Sequence, residues 1–526
     1  MISRRGFVVH GGQALAAASM LTSFSPAWAI ARNYTPVEVT APCGSLRGAQ
    51  TATTQRFLGI PFAQPPVGEL RFKAPLAVAD WQGVREATAF ARAAIQNPQN
   101  PRFTPQDPGS SEDCLYLNVW APTTPGPHPV YVWVHGGANV AGTTATPVFD
   151  GQAFAENGVV LVSVAYRLGA LGFMDVSGLL GEQYRGSGNN GLRDVAEALR
   201  WVRRNISAFG GDPARVTLGG ESAGAKNVIS LLAMPAAQGL FQRAICESGG
   251  GQTFAHQAAA DDVARRVLAN LKGGSAAEVL LSAEPADLLV AQNAMIRDYP
   301  VRFPFRAVVD GVVLEEGPLI AIGKGAGKNV ALLLGSNRDE AAYYGPSKTG
   351  DGRVVQADLA NMPLALFESI FPRYAALSPE ADAEALRYKA LTAESYGIPT
   401  LRLAEARAAT GAPAYCYRFE LAPDSGPHKG LCVHGSELAL VFGNVTDPAA
   451  SGIGPAGPKG EQLGAVMHRA WVDFIGGKTL RAGEQTWPLY SLEQRRTLVF
   501  GEQVRVQNDP HSAERQLWEH WAAVSR

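Results

Sequence analysis

Gly220-Glu221-Ser222-Ala223-Gly224 sets one serine between two glycines, directly after the apolar run Val216 to Leu218 and before the run Val228 to Leu232, which Pro235 ends. Strand, tight turn and helix is the context in which a hydroxyl is presented as a nucleophile. The glycines permit a strained turn and leave no side chain in the way, so Ser222 can project above the sheet. The N-terminus of the following helix favours developing negative charge there. The pentad alone is a short motif that glycine-rich chains also produce by chance, and the flanking strand and helix patterns give it weight. A second element, Trp133-Val134-His135-Gly136-Gly137-Ala138, is an apolar strand pattern ending in two glycines. Backbone amides exposed there, together with the Ala223 N–H, are suited to binding the oxyanion of a tetrahedral intermediate.

A sheet has to hold these pieces in place. Leu115 to Trp120, Val130 to Val134, Val159 to Val164 and Val216 to Leu218 are Val-rich runs of strand length between Gly/Pro loops, the pattern of buried parallel strands. Between the third and fourth, Leu192, Val195, Leu199, Val202 and Ile206 fall at helical spacing and predict an amphipathic helix closing a right-handed strand-helix-strand unit. Val330 to Leu334 and Ala414 to Leu421 read as further strands, and Glu461 to Ile475 as a helix. Asp261 to Pro300 and Leu359 to Ala408 are Ala/Leu-rich and helical in character, as in segments that cap a sheet. Val37 to Gly48 and Arg56 to Gly59 read as short strands, and the Pro-rich loop Pro61 to Pro75 completes an entrance region. No internal repeat or low-complexity linker interrupts the chain, so residues 32–526 are expected to form one elaborated α/β domain.

With 526 residues, 46% of them hydrophobic, the chain can bury a large core. Lys+Arg at 46 against Asp+Glu at 47, with no long run of either sign, argues against nucleic-acid binding and against a polybasic membrane patch. Ser3-Arg4-Arg5-Gly6-Phe7-Val8 precedes a weakly apolar stretch, Ala14 to Phe24, that ends near Ala27-Trp28-Ala29. Residues 1–31 therefore resemble a twin-arginine export signal, cleaved after Ala29 or Ala31. The stretch falls short of the ~20 apolar residues of a membrane span. The expectation is a soluble periplasmic or secreted product, transient contact with the twin-arginine machinery and no stable membrane insertion. The five cysteines are an odd number, so one thiol stays free unless two chains are bridged. No spacing resembles a zinc site, and no cofactor is expected.

Phe209-Gly210-Gly211 through Gly224, and Glu112-Asp113-Cys114-Leu115-Tyr116-Leu117-Asn118-Val119, resemble the two signature stretches of the type-B carboxylesterase and cholinesterase family. Pro65-Pro66-Val67-Gly68, Tyr166-Arg167-Leu168, Asn190-Gly191-Leu192, His434-Gly435-Ser436-Glu437-Leu438 and Trp487-Pro488-Leu489-Tyr490 are similar to further family pieces, in the family's order from about residue 37 to about residue 500.

The resemblance implies an α/β-hydrolase fold: a central, mostly parallel sheet flanked by helices, with helical cap insertions. It implies a Ser-His-Glu triad of Ser222 as nucleophile, His434 as general base and Glu340 as the acid that orients the imidazole. Asp339 is the competing acid. The oxyanion donors would be the amides of Gly137, Ala138 and Ala223, with Gly136 beside them. Ala138 stands where relatives often carry a third glycine, and serves equally if its backbone angles are ordinary. Asn139, where an aromatic is common, would make its wall of the pocket more polar. Arg71 with Glu112 and Arg167 with Asp194 occupy positions that the family pairs. Cys114 matches a half-cystine whose partner position holds Ala94, which removes that disulfide, whereas Cys416 and Cys432 could bridge locally. No tryptophan lies between Ile95 and Ser111, which disfavours a quaternary-ammonium substrate. The expected activity is hydrolysis of a small-molecule carboxylic ester through an acyl-enzyme. Amide, carbamate or lactone hydrolysis by the same residues, and a non-catalytic binding role, are the alternatives. Substrate choice would rest with pocket walls near Phe303, Phe305, Tyr343 and Tyr344.

Overall fold

The computed structural model describes residues 34–98, 108–448, 450, 452–519 and 521. The export signal expected over residues 1–31 lies outside them. From Tyr34 onward the chain forms one compact unit.

A 13-stranded sheet organises the molecule. Its centre is a parallel run in the spatial order Val160–Val164, His128–Val134, Gly211–Glu221, Arg243–Glu247, Ala331–Asn337, Ala414–Phe419 and Arg496–Phe500. Both faces of this run are covered. In the strand His128–Val134, Val130, Val132 and Val134 enter one hydrophobic core while Tyr131 and Trp133 enter the other. Side chains of a strand alternate between faces, so an unbroken apolar run is the mark of a strand buried on two sides. The helix Asn190–Asn205 covers the first face with Leu192, Val195, Leu199 and Val202, and the helix Gly457–Ile475 covers the second with Leu463, Met467, Trp471 and Phe474. A third apolar cluster, including Phe367, Tyr374, Leu391 and Trp518, lies under the cap-region helices.

One strand runs against expectation. Tyr116–Pro122 is antiparallel to both of its neighbours, Thr54–Pro61 and Val160–Val164. A continuous apolar run reports burial on two faces and carries no information on strand direction. The short strands Arg243–Glu247 and Val504–Asn508 were not expected; each mixes charged or polar residues with too few apolar ones to mark a core strand.

The two family-type ion pairs lock loops onto this frame. Arg71 meets Glu112 with two bonds of 2.7 Å and also donates to the carbonyls of Leu280, Leu281 and Ala283. Arg167 meets Asp194 at 2.8 and 2.7 Å with both side chains buried. All five cysteines are buried and unbridged, so Cys416 and Cys432 do not pair.

Candidate active site

Parallel strands of an α/β sheet gather functional groups beyond their carboxyl ends, and four adjacent strands do so here. Gly211–Glu221 delivers Ser222, Arg243–Glu247 delivers Ser248, Ala331–Asn337 leads to Glu340, and the chain after Ala414–Phe419 returns to His434.

Ser222 sits at φ 55°, ψ −120°, between its strand and the helix Ala223–Ala233. Such angles cost a non-glycine residue on the order of 1–3 kcal/mol, and persist only where the surroundings enforce them. Here the Ser222 amide donates to the Glu247 carbonyl at 2.9 Å, and the Ser222 carbonyl accepts from the Lys226 amide at 3.0 Å. The flanking glycines serve close approach: a Cβ on Gly224 would lie 2.1 Å from the Val134 carbonyl oxygen, and one on Gly220 2.6 Å from it. Helix and strand could not pack at this distance around any side chain.

Glu340 is fully buried. Its Oε2 lies 2.6 Å from His434 Nδ1, while Oε1 accepts from the Asn337 amide at 2.7 Å and from Ser248 Oγ at 2.5 Å. A carboxylate only accepts, so Nδ1 carries the proton and Nε2 is left for chemistry. Asp339 points elsewhere, taking Arg338 Nε at 2.8 Å and the Cys432 amide at 2.9 Å. The imidazole packs between Tyr343, Tyr344 and Tyr396, with ring centroids at 6.0, 6.0 and 4.7 Å.

His434 Nε2 lies 3.0 Å from Glu221 Oε1, close enough for an ion pair yet misaligned for a hydrogen bond. Ser222 Oγ and His434 are not hydrogen-bonded to each other; free enzymes often hold catalytic hydrogen bonds long and tighten them around substrate. Burial would depress the imidazole, but Glu221 and Glu340 outweigh it and hold His434 up at about 9. Burial in turn raises Glu221 to about 7 and Glu437 to about 8, and pushes Glu247 well above the usual carboxylate range. Glu437 accepts from Asn337 Nδ2 at 2.5 Å and Glu247 from Trp471 Nε1 at 2.8 Å. The histidine thus faces Glu221 and Glu437 as well as the expected Glu340.

On the other side of Ser222 lie the loop amides. Among the described residues Gly137 and Ala138 donate no backbone hydrogen bond, and Ala223, first residue of its helix, has an orphan amide of the kind every helix N-terminus leaves. Gly136 backs the site: an added Cβ would stand 2.6 Å from Glu221 Oε2 and 3.0 Å from Ser222 Cβ. The angles at Ala138 are not ordinary, since it has φ 55° and Asn139 φ 58° after Gly137 at 108°, yet its amide bonds to no described backbone group and stays available as a donor. The chain enters the left-handed region for three successive residues, and Asn139 anchors the turn by donating to the Phe305 carbonyl at 3.2 Å and accepting from Asn227 at 2.9 Å.

A cavity of about 360 Å³, open to solvent, lies beside Ser222 and the Ala138 and Ala223 turns. Its wall includes Ala138, Asn139, Ser222 and Ala223 with Phe303 and Phe305, as expected, and also Lys226, Asn227 and Arg306, which were not expected there; Tyr343 and Tyr344, expected on the same wall, pack against the His434 ring instead. The signal for Lys226 was present: a lysine four residues after the serine, just ahead of an apolar helical run.

A model of the Carboxylesterase family matches residues 35–518. The chain is 36% identical to the para-nitrobenzyl esterase of Bacillus subtilis over 488 residues, covering 91% of this chain and 97% of that one. It is 34% identical to the Fumonisin B1 esterase of Sphingopyxis macrogoltabida over 478 residues, 88% of this chain and 86% of that one. The solved carboxylesterase of Geobacillus stearothermophilus matches with a TM-score of 0.82 at 34% identity, over 92% of this chain and all of that one.

Proposed function

The chain belongs to the carboxylesterase family and is a serine carboxylesterase of the α/β-hydrolase fold, and from that membership we propose that it works through Ser222, His434 and Glu340 by way of an acyl-enzyme. The carrying observation is the Glu340–His434 contact of 2.6 Å, made beside a serine held at strained angles next to unengaged amides. His434 Nε2 removes the Ser222 proton as the oxygen attacks the ester carbonyl; the Gly137, Ala138 and Ala223 amides stabilise the oxyanion; the imidazolium then protonates the leaving alcohol. Water repeats the sequence on the acyl-enzyme. A fluorophosphonate is expected to add once to the folded protein, at Ser222, as read by intact mass and peptide mapping. An adduct elsewhere, or none, sinks the triad.

Only neutral His434 can accept the proton, so kcat/KM rises with pH as the imidazolium deprotonates. The carboxylates around the ring place this rise above the reference value of ~6.5. Glu221→Gln removes the carboxylate that does most to raise His434, and the limb should move to lower pH. A kcat/KM profile from pH 5 to pH 10 that is identical in the two proteins would uncouple Glu221 from the base.

We propose in addition that residues 1–31 are a twin-arginine signal and that the mature enzyme is periplasmic or secreted, which the Ser3 to Val8 motif supports. Among the described residues no helix is long and apolar enough to cross a membrane. Changing Arg4 and Arg5 together to Lys is expected to hold uncleaved protein in the cytoplasm; normal export of that variant on cell fractionation counts against the signal.

A further inference from the structure

The wall of the cavity beyond Ser222 carries two cations, Lys226 and Arg306, that make no direct ion pair among the described residues. Lys226 stands four residues after Ser222, so both lie on one face of the helix, and a long helical side chain leans back over the preceding turn. Lys226 is 9% exposed and lines the same cavity as Ser222, Ala138 and Ala223. Its ammonium lies 4.8 Å from the ring centre of Phe303 and 5.2 Å from that of Tyr396. Among the described residues it makes neither a hydrogen bond nor an ion pair. An ammonium has three donors, and a buried charge normally has a partner.

Arg306 lies on the same wall. Its guanidinium is held by the carbonyl oxygens of Phe303, Ala360 and Arg302 and ion-pairs with no carboxylate among the described residues. The carboxylates whose fields reach Lys226 are Glu394 and Glu221. Both are engaged elsewhere: Glu394 accepts from the amides of Ala360 and Asn361 and from Ser395 Oγ, and Glu221 faces His434. Burial and the nearby Arg306 lower Lys226 to about 8, which leaves it mostly charged at neutral pH.

We propose that the cavity selects esters bearing a carboxylate, with the Lys226 ammonium binding that carboxylate while Ser222 attacks the ester, Arg306 strengthening the field and Phe303 and Phe305 enclosing the carbon chain between the two groups. The inference rests on the esterase reading above and narrows it to anionic esters, of which half-esters of dicarboxylic acids are the simplest. Two cations without a direct ion pair in the wall also disfavour a quaternary ammonium, independently of the missing loop tryptophan.

The test compares the folded enzyme on matched pairs at pH 7: monoethyl adipate with ethyl hexanoate, which puts the carboxylate on the acyl part, and 4-acetoxybutanoate with butyl acetate, which puts it on the alcohol part. In one pair the anionic ester is expected to have the larger kcat/KM by on the order of 10- to 100-fold, the value of a charge-assisted hydrogen bond. Which pair shows it identifies the side on which the carboxylate sits. Lys226→Met should bring that ratio close to one, and Lys226→Arg should keep most of it. Because the ratio is taken within each protein, a general loss of folding or turnover does not imitate the effect. If 4-nitrophenyl acetate is hydrolysed at Ser222 but neither pair shows a preference, or the preference survives in Lys226→Met, the anionic-substrate inference is overturned while the esterase reading stands. If no ester is hydrolysed, both fall.

Discussion

Ser222→Ala is expected to lower kcat for a 4-nitrophenyl ester by roughly 10⁴- to 10⁶-fold while leaving the protein folded. The loss follows from chemistry: without the hydroxyl there is no acyl-enzyme, and only the loop amides and the cavity remain to favour attack by water. The intact fold follows from the structure. Ser222 Oγ has no hydrogen-bond partner among the described residues, and alanine meets the same cost as serine at φ 55°. Stability should therefore change by no more than about 0.5 kcal/mol, measured by thermal unfolding. Adding His434→Ala to Ser222→Ala should cost little more in rate, because groups that act as one unit are not additive. A double mutant that loses the product of the two single effects would mean that His434 acts independently of Ser222. Hydrolysis that survives Ser222→Ala would place the nucleophile elsewhere.

Different parts of this site were legible in the sequence for different physical reasons. The serine turn could be read because its geometry needs glycines at fixed offsets, and Gly220 and Gly224 do stand where any Cβ would strike the Val134 carbonyl. The parallel core was legible because strands buried on two faces must be apolar throughout, but the same rule concealed the antiparallel direction of Tyr116–Pro122. The pairing of Glu340 with His434 spans 94 residues, and nothing local marks it. Residue pattern alone left Asp339 open; only the fold, which turns Asp339 onto Arg338 and the Cys432 amide, separates two adjacent carboxylates. Glu221, Glu247 and Glu437 were hidden for a related reason. A buried carboxylate looks like a surface one in sequence until the strands that surround it are assembled. Lys226 and Arg306 are hidden in the same way, and Glu394 and Tyr396 reach the cavity region from a helical stretch that widens into a π turn at Ala393–Gly397, a distortion often found at functional sites.

Glu340→Gln is expected to reduce kcat/KM by roughly 10³- to 10⁴-fold with little change in stability, and the reason is a matter of which atom holds a proton. In the native site Oε1 accepts from the Asn337 amide at 2.7 Å and Oε2 faces His434 Nδ1 at 2.6 Å. The Asn337 amide is a fixed backbone donor, so the glutamine must turn its oxygen to that position and its NH₂ to the histidine; Ser248, whose hydroxyl rotates, accepts either arrangement. The NH₂ then donates to Nδ1, which has to become an acceptor, and the ring proton moves to Nε2. A protonated Nε2 cannot take the Ser222 proton, and the base is lost without a change of shape. Loss of the Glu340 charge also removes one of the carboxylates that hold His434 above its reference value, so whatever activity remains should have its acid limb at lower pH. Asp339→Asn is the control. It weakens a contact with the partly exposed Arg338 and leaves the imidazole untouched, so activity should stay within a few-fold of wild type. Steady-state kinetics on the two variants decide the acid: if Asp339→Asn is the damaging change and Glu340→Gln is mild, the third member of the triad is Asp339 and the 2.6 Å contact serves only to place the ring.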